Sequence, residues 1–554
     1  MTEATPLYAV AGYGTNLEGP ISVVWRALER CHEAVHAMGV DRIATDIRLG
    51  TRTDKPAPRA HVDEPPRALT ENQRKKASVE RRLSTGKEAC ARYLKETHPD
   101  FVDAPQDSRV AQQLQRFSET TLGTYVRPQV VFSHGKGLSL YAAVPVPRGA
   151  GEESRQYLDF SAGIAVNSLG HADDQVAQIA GEQAATLVHC SNLFHNSWSG
   201  EMVDRLVALT REHGGLGVAP GSGAPSDGEN LRAFVCNSGT EANEGALKFA
   251  RKIAHMQDKR KSALVSFHNA FHGRTMGALS VTPNPKYQAP FAPLVGDTRA
   301  GELNQYEGLD ALIDESVAGV IVEPIQGEGG VCPADVDWLA AVRARCDEVG
   351  ATLIYDEIQC GLFRTGTMWC HSHFPLAAHP HIVTMAKPLA NGFPIGAVLM
   401  QPHVAKGIVA GDHGTTFGGG PLACRIAHHV LGRLSDPALR ANVDAQSTHL
   451  RARLRRITEL FGDLVDAETS PRGHGLLLGV SMRTPEHAGR VVFLARQRGL
   501  LILSAGSDTL RFVPSLTLSA EHVDAAMDIL ESCLLVLRAE AQEQAKSTPR
   551  AVHA

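Results

Sequence analysis

The stretch Ile382-Val383-Thr384-Met385-Ala386-Lys387-Pro388 decides the fold, because a short, nearly continuous apolar run ends there on a lysine. A run of that length without polar alternation suits a strand buried on both faces, as the parallel strands of α/β proteins are. Four other stretches repeat the pattern. Ala233-Phe234-Val235-Cys236 leads into Asn237-Ser238-Gly239-Thr240, and Ala263-Leu264-Val265-Ser266-Phe267 leads into a loop with His272-Gly273-Arg274. Val320-Ile321-Val322 leads into Glu323-Pro324, and Thr352-Leu353-Ile354-Tyr355 into Asp356-Glu357. In each case the chemically able residue follows the strand, and in open α/β sheets that carboxyl edge is where ligands bind. The expectation is an α/β chain whose parallel strands deliver polar groups to one edge.

Composition agrees with a large globular chain. The 554 residues are 43% hydrophobic, enough for an extensive core, and the length suggests roughly three or four domain-sized units. A formal net charge of −5 gives no electrostatic reason to expect nucleic acid or an acidic membrane as partner. The ten cysteines form no CxxC pair and stand singly in apolar segments, which suits buried thiols in a reducing compartment. No run of eighteen apolar residues suggests a transmembrane helix. The opening residues lack the basic region of a signal peptide and the Arg-rich, acid-poor character of a mitochondrial presequence.

Organisation follows from shifts in pattern. Residues 7–58 read as a strand at Leu7 to Val10, a helix carrying Val24, Ala27, Cys31, Val35 and Met38, and a strand at Arg42 to Arg48. Residues 59–115 read as a linker followed by polar helices; their basic run Arg74-Lys75-Lys76 suits a solvated face. Residues 116–424 hold the strand series, 425–540 a smaller α+β unit, and 541–554 a disordered tail. The Gly-, Pro- and Ser-rich residues 214–228 read as a mobile surface loop.

Three positions carry chemistry in their own right. Ser238 and Glu241 have capping-box spacing, so a helix is expected to begin there, and a strand, a glycine turn and a helix N-terminus together make a phosphate site. Asp356, at the end of an apolar strand, needs a cationic partner such as a protonated ring nitrogen. Lys387, at the end of another, is expected to be desolvated, with a lowered pKa and a nucleophilic amine. Each feature alone has an ordinary structural explanation, and only their convergence argues for a site. His371, His373, His379 and His381 lack convincing ligand spacing; they read as surface-loop histidines, with no metal.

Seven segments, in order, resemble the motifs of class III aminotransferases: residues 157–167, 237–243 and 271–275, then Glu323-Pro324-Ile325-Gln326-Gly327-Glu328, Asp356-Glu357-Ile358-Gln359, Ala386-Lys387, and Thr415-Thr416-Phe417-Gly418-Gly419. The resemblance spans about three quarters of the chain. It implies a fold-type I aminotransferase with a large, mostly parallel-sheet domain for pyridoxal 5'-phosphate and a smaller C-terminal α+β domain. By the same resemblance, Lys387 anchors the cofactor and shuttles a proton, Asp356 pairs with its pyridine nitrogen, Gln359 bonds its ring hydroxyl and Phe271 stacks on the ring. Gly239 and Thr240 hold the phosphate, joined by Thr416 from a second subunit, which implies a homodimer. Arg274 grips the substrate carboxylate, Thr415 lies in the substrate site, and Arg511 takes the α-carboxylate of 2-oxoglutarate. Glu328 covers Arg511 when that substrate is absent.

Within the family, Ser191-Asn192-Leu193-Phe194 and Phe271-His272-Gly273 resemble the branch acting on N-acetylornithine. That implies transfer of its terminal amino group to 2-oxoglutarate in arginine biosynthesis. His195 leaves ornithine and 4-aminobutyrate open as donors, and a non-catalytic, cofactor-bound regulatory protein is the reading of a different class. Fungal relatives imply the mitochondrial matrix, with the cytoplasm as the alternative. Pro388, Ala390, Phe363 and Gly420 depart from residues usual in the family, and Pro388 is expected to push Lys387 toward an extended backbone. At the other end, residues 14–19 and 45–55 resemble the second half of a ferredoxin-like thiamine-binding family, without its first strand and helix. This segment reads as a fusion or a misjoined gene model, expected not to bind thiamine because half a sandwich lacks a core of its own.

Overall fold

The computed structural model describes residues 7–11, 14–18, 108–145, 152–223 and 229–547. The chain divides into two units, Met1–Glu96 and Thr97–Ala554. In the first, Leu7–Ala11 and Gly14–Glu18 form an antiparallel hairpin, with Leu7 opposite Glu18 and Ala11 opposite Gly14. The first strand is where the sequence places it; the helix and the strand expected after it lie outside the described residues.

The second unit is built on a seven-stranded sheet. Its strands are β1 (Arg232–Cys236), β2 (Ala263–Phe267), β3 (Thr298–Gly301), β4 (Val317–Val322), β5 (Thr352–Asp356), β6 (Ile382–Met385) and β7 (Gly396–Met400), in the order β1-β7-β6-β5-β4-β2-β3. All five expected strands are present. Strands β2, β4, β5, β6 and β7 are buried throughout, which is why their sequences show no polar alternation. Alternate residues still divide between two cores. Ile321, Ile354, Ile382 and Val398 pack with Ala242, Ala246 and Phe249 of helix α1 (Gly239–Gln257), while Val320, Leu353, Tyr355 and Val383 join the larger core with Trp338.

Strand β7 pairs antiparallel with both β6 and β1. A parallel return needs a crossover of about a dozen residues or more, usually a helix. The link between β6 and β7 holds only a 3-10 turn, Lys387–Ala390, so the chain folds straight back. Lys387 opens this turn and does not take the extended backbone expected before Pro388. Proline is tolerated in a first turn because its missing N–H would lack a partner there, and the Leu389 amide closes the turn on the Ala386 carbonyl.

A second, antiparallel sheet comprises β8 (Arg472–His474), β9 (Leu477–Ser481), β10 (Leu503–Ala505) and β11 (Thr509–Phe512), in the order β8-β9-β11-β10. A third combines a meander, Val131–Lys136, Ser139–Pro145 and Glu152–Asp159, with Leu500–Leu501 from late in the chain, which runs parallel to Glu152–Asp159.

Three expectations change. The last helix, Ala520–Ser547, continues past residue 541 into the stretch expected to be a tail. Its end is rich in Ala, Glu and Gln, good helix formers, and Arg490 pairs with Glu540. The start of the loop expected to be mobile is pinned: Leu216 is buried, Gly215 and Val218 exchange backbone hydrogen bonds, and Ser372 Oγ donates to the Gly214 carbonyl. Helix Pro421–Leu434 runs through the expected boundary at 424/425. Among the described residues no helix is long and apolar enough to cross a membrane.

Candidate active site

Helix α1 starts where the sequence places it, with Ser238 as N-cap: its Oγ accepts from the Glu241 amide at 3.3 Å. The Glu241 carboxylate reaches back one residue further than a standard capping box, to the Asn237 amide at 3.0 Å and the Ser238 hydroxyl at 2.8 Å. The Gly239 and Thr240 amides, in the first turn, have no intrahelical acceptor and no other partner among the described residues. A Cβ on Gly239 would meet Ile358 at 2.8 Å, and one on Gly273 (φ 139°) would meet Thr240 Oγ1 at 2.1 Å. Two glycines thus let chain segments close around a helix N-terminus with free N–H groups, a cradle suited to an anion.

Asp356 ends β5 and is buried. Its Oδ2 accepts from Asn243 Nδ2 of α1 at 2.8 Å and is 2.8 Å from His272 Nδ1; its Oδ1 accepts from the Ile358 amide at 3.1 Å. The carboxylate is oriented from three sides yet keeps acceptor capacity for a cation. Glu323, also buried, accepts from the Phe271 and Gly327 amides at 2.9 and 3.0 Å. Burial, with His272 opposing and Asp356 reinforcing, pushes its carboxyl up to about 7. In the sequence His272 and Glu323 stand only as polar residues after strands and Asn243 only inside a motif, with no role given to any of the three. A polar Asn243 on the apolar face of α1 was the one available signal.

Lys387 lies at the end of β6, beside β5. Burial pulls its pKa down against the attraction of Asp356, and no hydrogen bond or ion pair among the described residues holds its Nζ. The turn it opens ends on Asn391 (φ 44°), whose side chain accepts from the Leu169 amide at 2.8 Å and donates to the Gly170 carbonyl at 3.0 Å. The lysine is therefore held by its backbone while its amine is left free.

Arg511, on β11, is buried; its guanidinium lies 3.0 Å from the Glu328 carboxylate and donates to the Gly327 carbonyl at 2.9 Å and to Gln359 Oε1 at 3.2 Å. Arg274 is exposed and makes no hydrogen bond or ion pair among the described residues. Only rings hold it: Tyr287 with its centroid 3.6 Å from Cζ, and Phe271 at 5.6 Å. Thr415 Oγ1 accepts from Asn237 Nδ2 at 3.1 Å, beside the cradle, whereas Thr416 is exposed. His195 is exposed too and makes no hydrogen bond or ion pair with these residues; its neighbours Asn192 and Asn196 instead donate to carbonyls of the Thr415–Gly419 loop.

The histidines expected on a surface loop are mostly buried. His371, His379 and His381 accept from the amides of Leu216, Gly217 and Leu353, and His371 pairs with the buried Glu357 at 2.5 Å. Only His373 is exposed. Their spacing follows backbone amides that need acceptors, and among the described residues no cluster could hold a metal ion. Phe363 keeps its turn although glycine would be unstrained: φ is 66°, a cost of about 1–2 kcal/mol, and its buried ring packs edge-on against His213.

The family model described as aminotransferase class-III matches residues 148–534. The chain belongs to the class-III aminotransferases. Such an aminotransferase is a pyridoxal-phosphate-dependent transaminase, so the family implies that cofactor. Residues 3–64 of this aminotransferase also match the model for thiamine-binding proteins. The chain is similar to the mitochondrial acetylornithine aminotransferase of Neurospora crassa, at 48% identity over 78% of this chain and 89% of that protein. It is 42% identical to the Saccharomyces cerevisiae protein of the same name, over 74% and 93% of the two chains. Among solved structures it resembles N-acetylornithine aminotransferase from Stenotrophomonas maltophilia (TM-score 0.61, 35% identity, 77% of this chain and 99% of that one). It also resembles ornithine aminotransferase from Toxoplasma gondii (TM-score 0.68, 29% identity, 82% and 99%). The backbone of this class-III aminotransferase therefore does not separate the two donors.

Proposed function

We propose that this aminotransferase moves the terminal amino group of N2-acetyl-L-ornithine to 2-oxoglutarate, giving N-acetylglutamate 5-semialdehyde and glutamate in arginine biosynthesis. Relatives bearing the acetylornithine name at 40–48% identity support this donor. The observation that carries the reading is the Glu328–Arg511 pair. A donor reacting at a terminal carbon brings no carboxylate to that place, so a buried arginine there would be an unpaired charge, and Glu328 pairs with it. 2-Oxoglutarate brings its own carboxylate and displaces Glu328. One pocket thereby accepts two differently charged substrates in turn, as ping-pong transfer demands.

The residues present fit pyridoxal phosphate: free amides for a phosphate, an oriented buried carboxylate for a ring nitrogen, and an unpartnered lysine. Gly239 and Thr240 would hold the phosphate with Thr416 of the partner subunit; Phe271 would stack on the ring, and Gln359 would meet its hydroxyl. When bound, the cofactor supplies an electron-withdrawing ring that accepts the electron pair left at the substrate carbon. Asp356 keeps the ring nitrogen protonated. Lys387 Nζ, whose charged form burial disfavours, would take the proton from the amine-bearing carbon and return it. Arg274 grips the α-carboxylate of the donor, placing the chain's far end at Lys387. His195 and Thr415 line the donor side, where an acetylated amine, unlike a free ammonium, asks for no anionic acceptor.

The exposed Thr416, on a loop that also presents an exposed Phe417, supports a homodimer with shared sites. The relatives' names support the mitochondrial matrix. Initial rates with acetylornithine, ornithine, succinylornithine and 4-aminobutyrate, each with 2-oxoglutarate, test the donor. Acetylornithine is expected to give the highest kcat/KM, and a preference for free ornithine would overturn the reading. Sedimentation of the holoenzyme tests the dimer, and organelle fractionation the compartment.

A further inference from the structure

Arg274 is an exposed cation with no hydrogen bond or ion pair among the described residues, and its Cζ lies over the face of an aromatic ring. An exposed arginine side chain ordinarily samples many rotamers, and ordering it costs entropy that weakens any ligand it binds. Here Tyr287 lies against the guanidinium, 3.6 Å from centroid to Cζ, with Phe271 at 5.6 Å. A cation held over a ring face is attracted by it without using any N–H donor, so the donors remain for a two-pronged contact with a carboxylate.

Both sides of the stack are braced. Gly273 packs against Thr240, and Thr275 Oγ1 lies 2.9 Å from Thr240 Oγ1, tying the Arg274 backbone to the start of α1. Tyr287 sits on the short helix α3 (Pro285–Gln288), which follows helix α2 (Met276–Ser280). Asn284 caps α3, and Gln288 Nε2 donates to the Leu279 and Ser280 carbonyls at 3.0 and 3.2 Å. The Tyr287 hydroxyl has no partner among the described residues, so hydrogen bonding does not explain the residue's place; its ring does.

We propose that Tyr287 is a positioning residue for substrate specificity: it pre-orders Arg274 so that carboxylate-bearing donors are favoured. The inference rests on Arg274 being the carboxylate grip. The test compares 5-aminopentanoate with pentylamine, the same chain with and without a carboxylate, as donors to the holoenzyme. Tyr287→Leu is expected to raise KM for 5-aminopentanoate by about 2- to 30-fold, the range of a cation–π contact from exposed to desolvated, while leaving kcat and the pentylamine kinetics unchanged. Tyr287→Phe, which keeps the ring, is expected to match wild type on both donors. An unchanged KM in Tyr287→Leu, or an equal loss on both donors, overturns the proposal. A wild-type enzyme that does not favour 5-aminopentanoate overturns the Arg274 reading and takes this proposal with it. Normal wild-type preference with an indifferent Tyr287→Leu overturns the tyrosine's role alone. Thermal midpoints of both variants guard against misfolding, and Tyr287→Trp, which restores a stacking face, is expected to recover KM.

Discussion

Arg511 and Glu328 pair at 3.0 Å across a sharp gradient of exposure: the arginine side chain is 2% exposed, the glutamate 42%. The arginine is fixed and the acid stands at the rim, so the acid is the member free to swing away. Glu328→Gln should keep the shape and remove the charge. The enzyme is then expected to lose discrimination between terminal-amine donors and α-amino acids. The kcat/KM for glutamate relative to the terminal amine should rise roughly tenfold, the scale of one charge-assisted contact. Half-reaction rates by stopped-flow absorbance check this; an unchanged ratio would remove Glu328 from the gate.

Lys387→Ala should shift the visible absorbance of the bound cofactor to that of the unlinked aldehyde and cut turnover by at least about a thousandfold, since it removes both anchor and proton carrier. Burial lowers the lysine's pKa, so the neutral amine persists below the usual lysine range. The rising limb of the rate–pH profile belongs below that range as well. A wild-type profile still climbing at the pH where a free lysine titrates would count against the assignment.

Gly273→Ala places a Cβ 2.1 Å from Thr240 Oγ1 at a φ of 139° that side chains rarely adopt. The loop and the start of α1 must then part. Cofactor affinity should fall by about 5- to 150-fold, in line with a strain of about 1–3 kcal/mol, and the thermal midpoint of the cofactor-free protein should drop as well. Equilibrium dialysis of pyridoxal phosphate against wild type and variant measures it.

His379 predicts an acid sensitivity. Burial first, then the neighbouring His371, lowers its pKa from 6.5 to about 4, and the side chain accepts from the Gly217 amide as a neutral imidazole. Between pH 6.5 and 4 the unfolded chain binds a proton that the folded chain refuses. Its contribution is thus fully present above 6.5 and is lost as pH falls, by at most about 1.4 kcal/mol per pH unit. Urea midpoints over that window should fall less steeply in His379→Asn than in wild type; parallel slopes would refute the linkage.

The sequence exposes those features that are local. A buried strand followed at once by Asn237, Asp356 or Lys387 can be read without knowing its neighbours, and all five such strands joined one sheet. What escaped is set by distance along the chain. Asn243 meets Asp356 across 113 residues, and His272 meets it across 84. Tyr287 shows its purpose only once Arg274 is seen beneath its ring. The histidines at 371, 379 and 381 are buried to accept from amides at Leu216, Gly217 and Leu353, and no pattern around the histidines themselves records that need. Strands β3 and β7 were missed for different reasons: Thr298–Gly301 is short and half-polar, while Gly396–Met400 is an apolar run that could have been found.

The parallel pairing of Leu500–Leu501 with Glu152–Asp159 has a consequence for synthesis. Arg155 bonds the carbonyl of Gln497, 342 residues onward, and the Val513 and Leu516 amides donate to Phe160 and Ser168. The edge of the meander that emerges early from the ribosome thus waits for residues made near the end. At about 5–20 residues per second that interval is roughly 17 to 70 seconds, during which an unpaired strand edge is open to wrong partners. Chains truncated before residue 500 should accordingly stay bound to chaperones that recognise exposed strands, whereas full-length chains release them on folding.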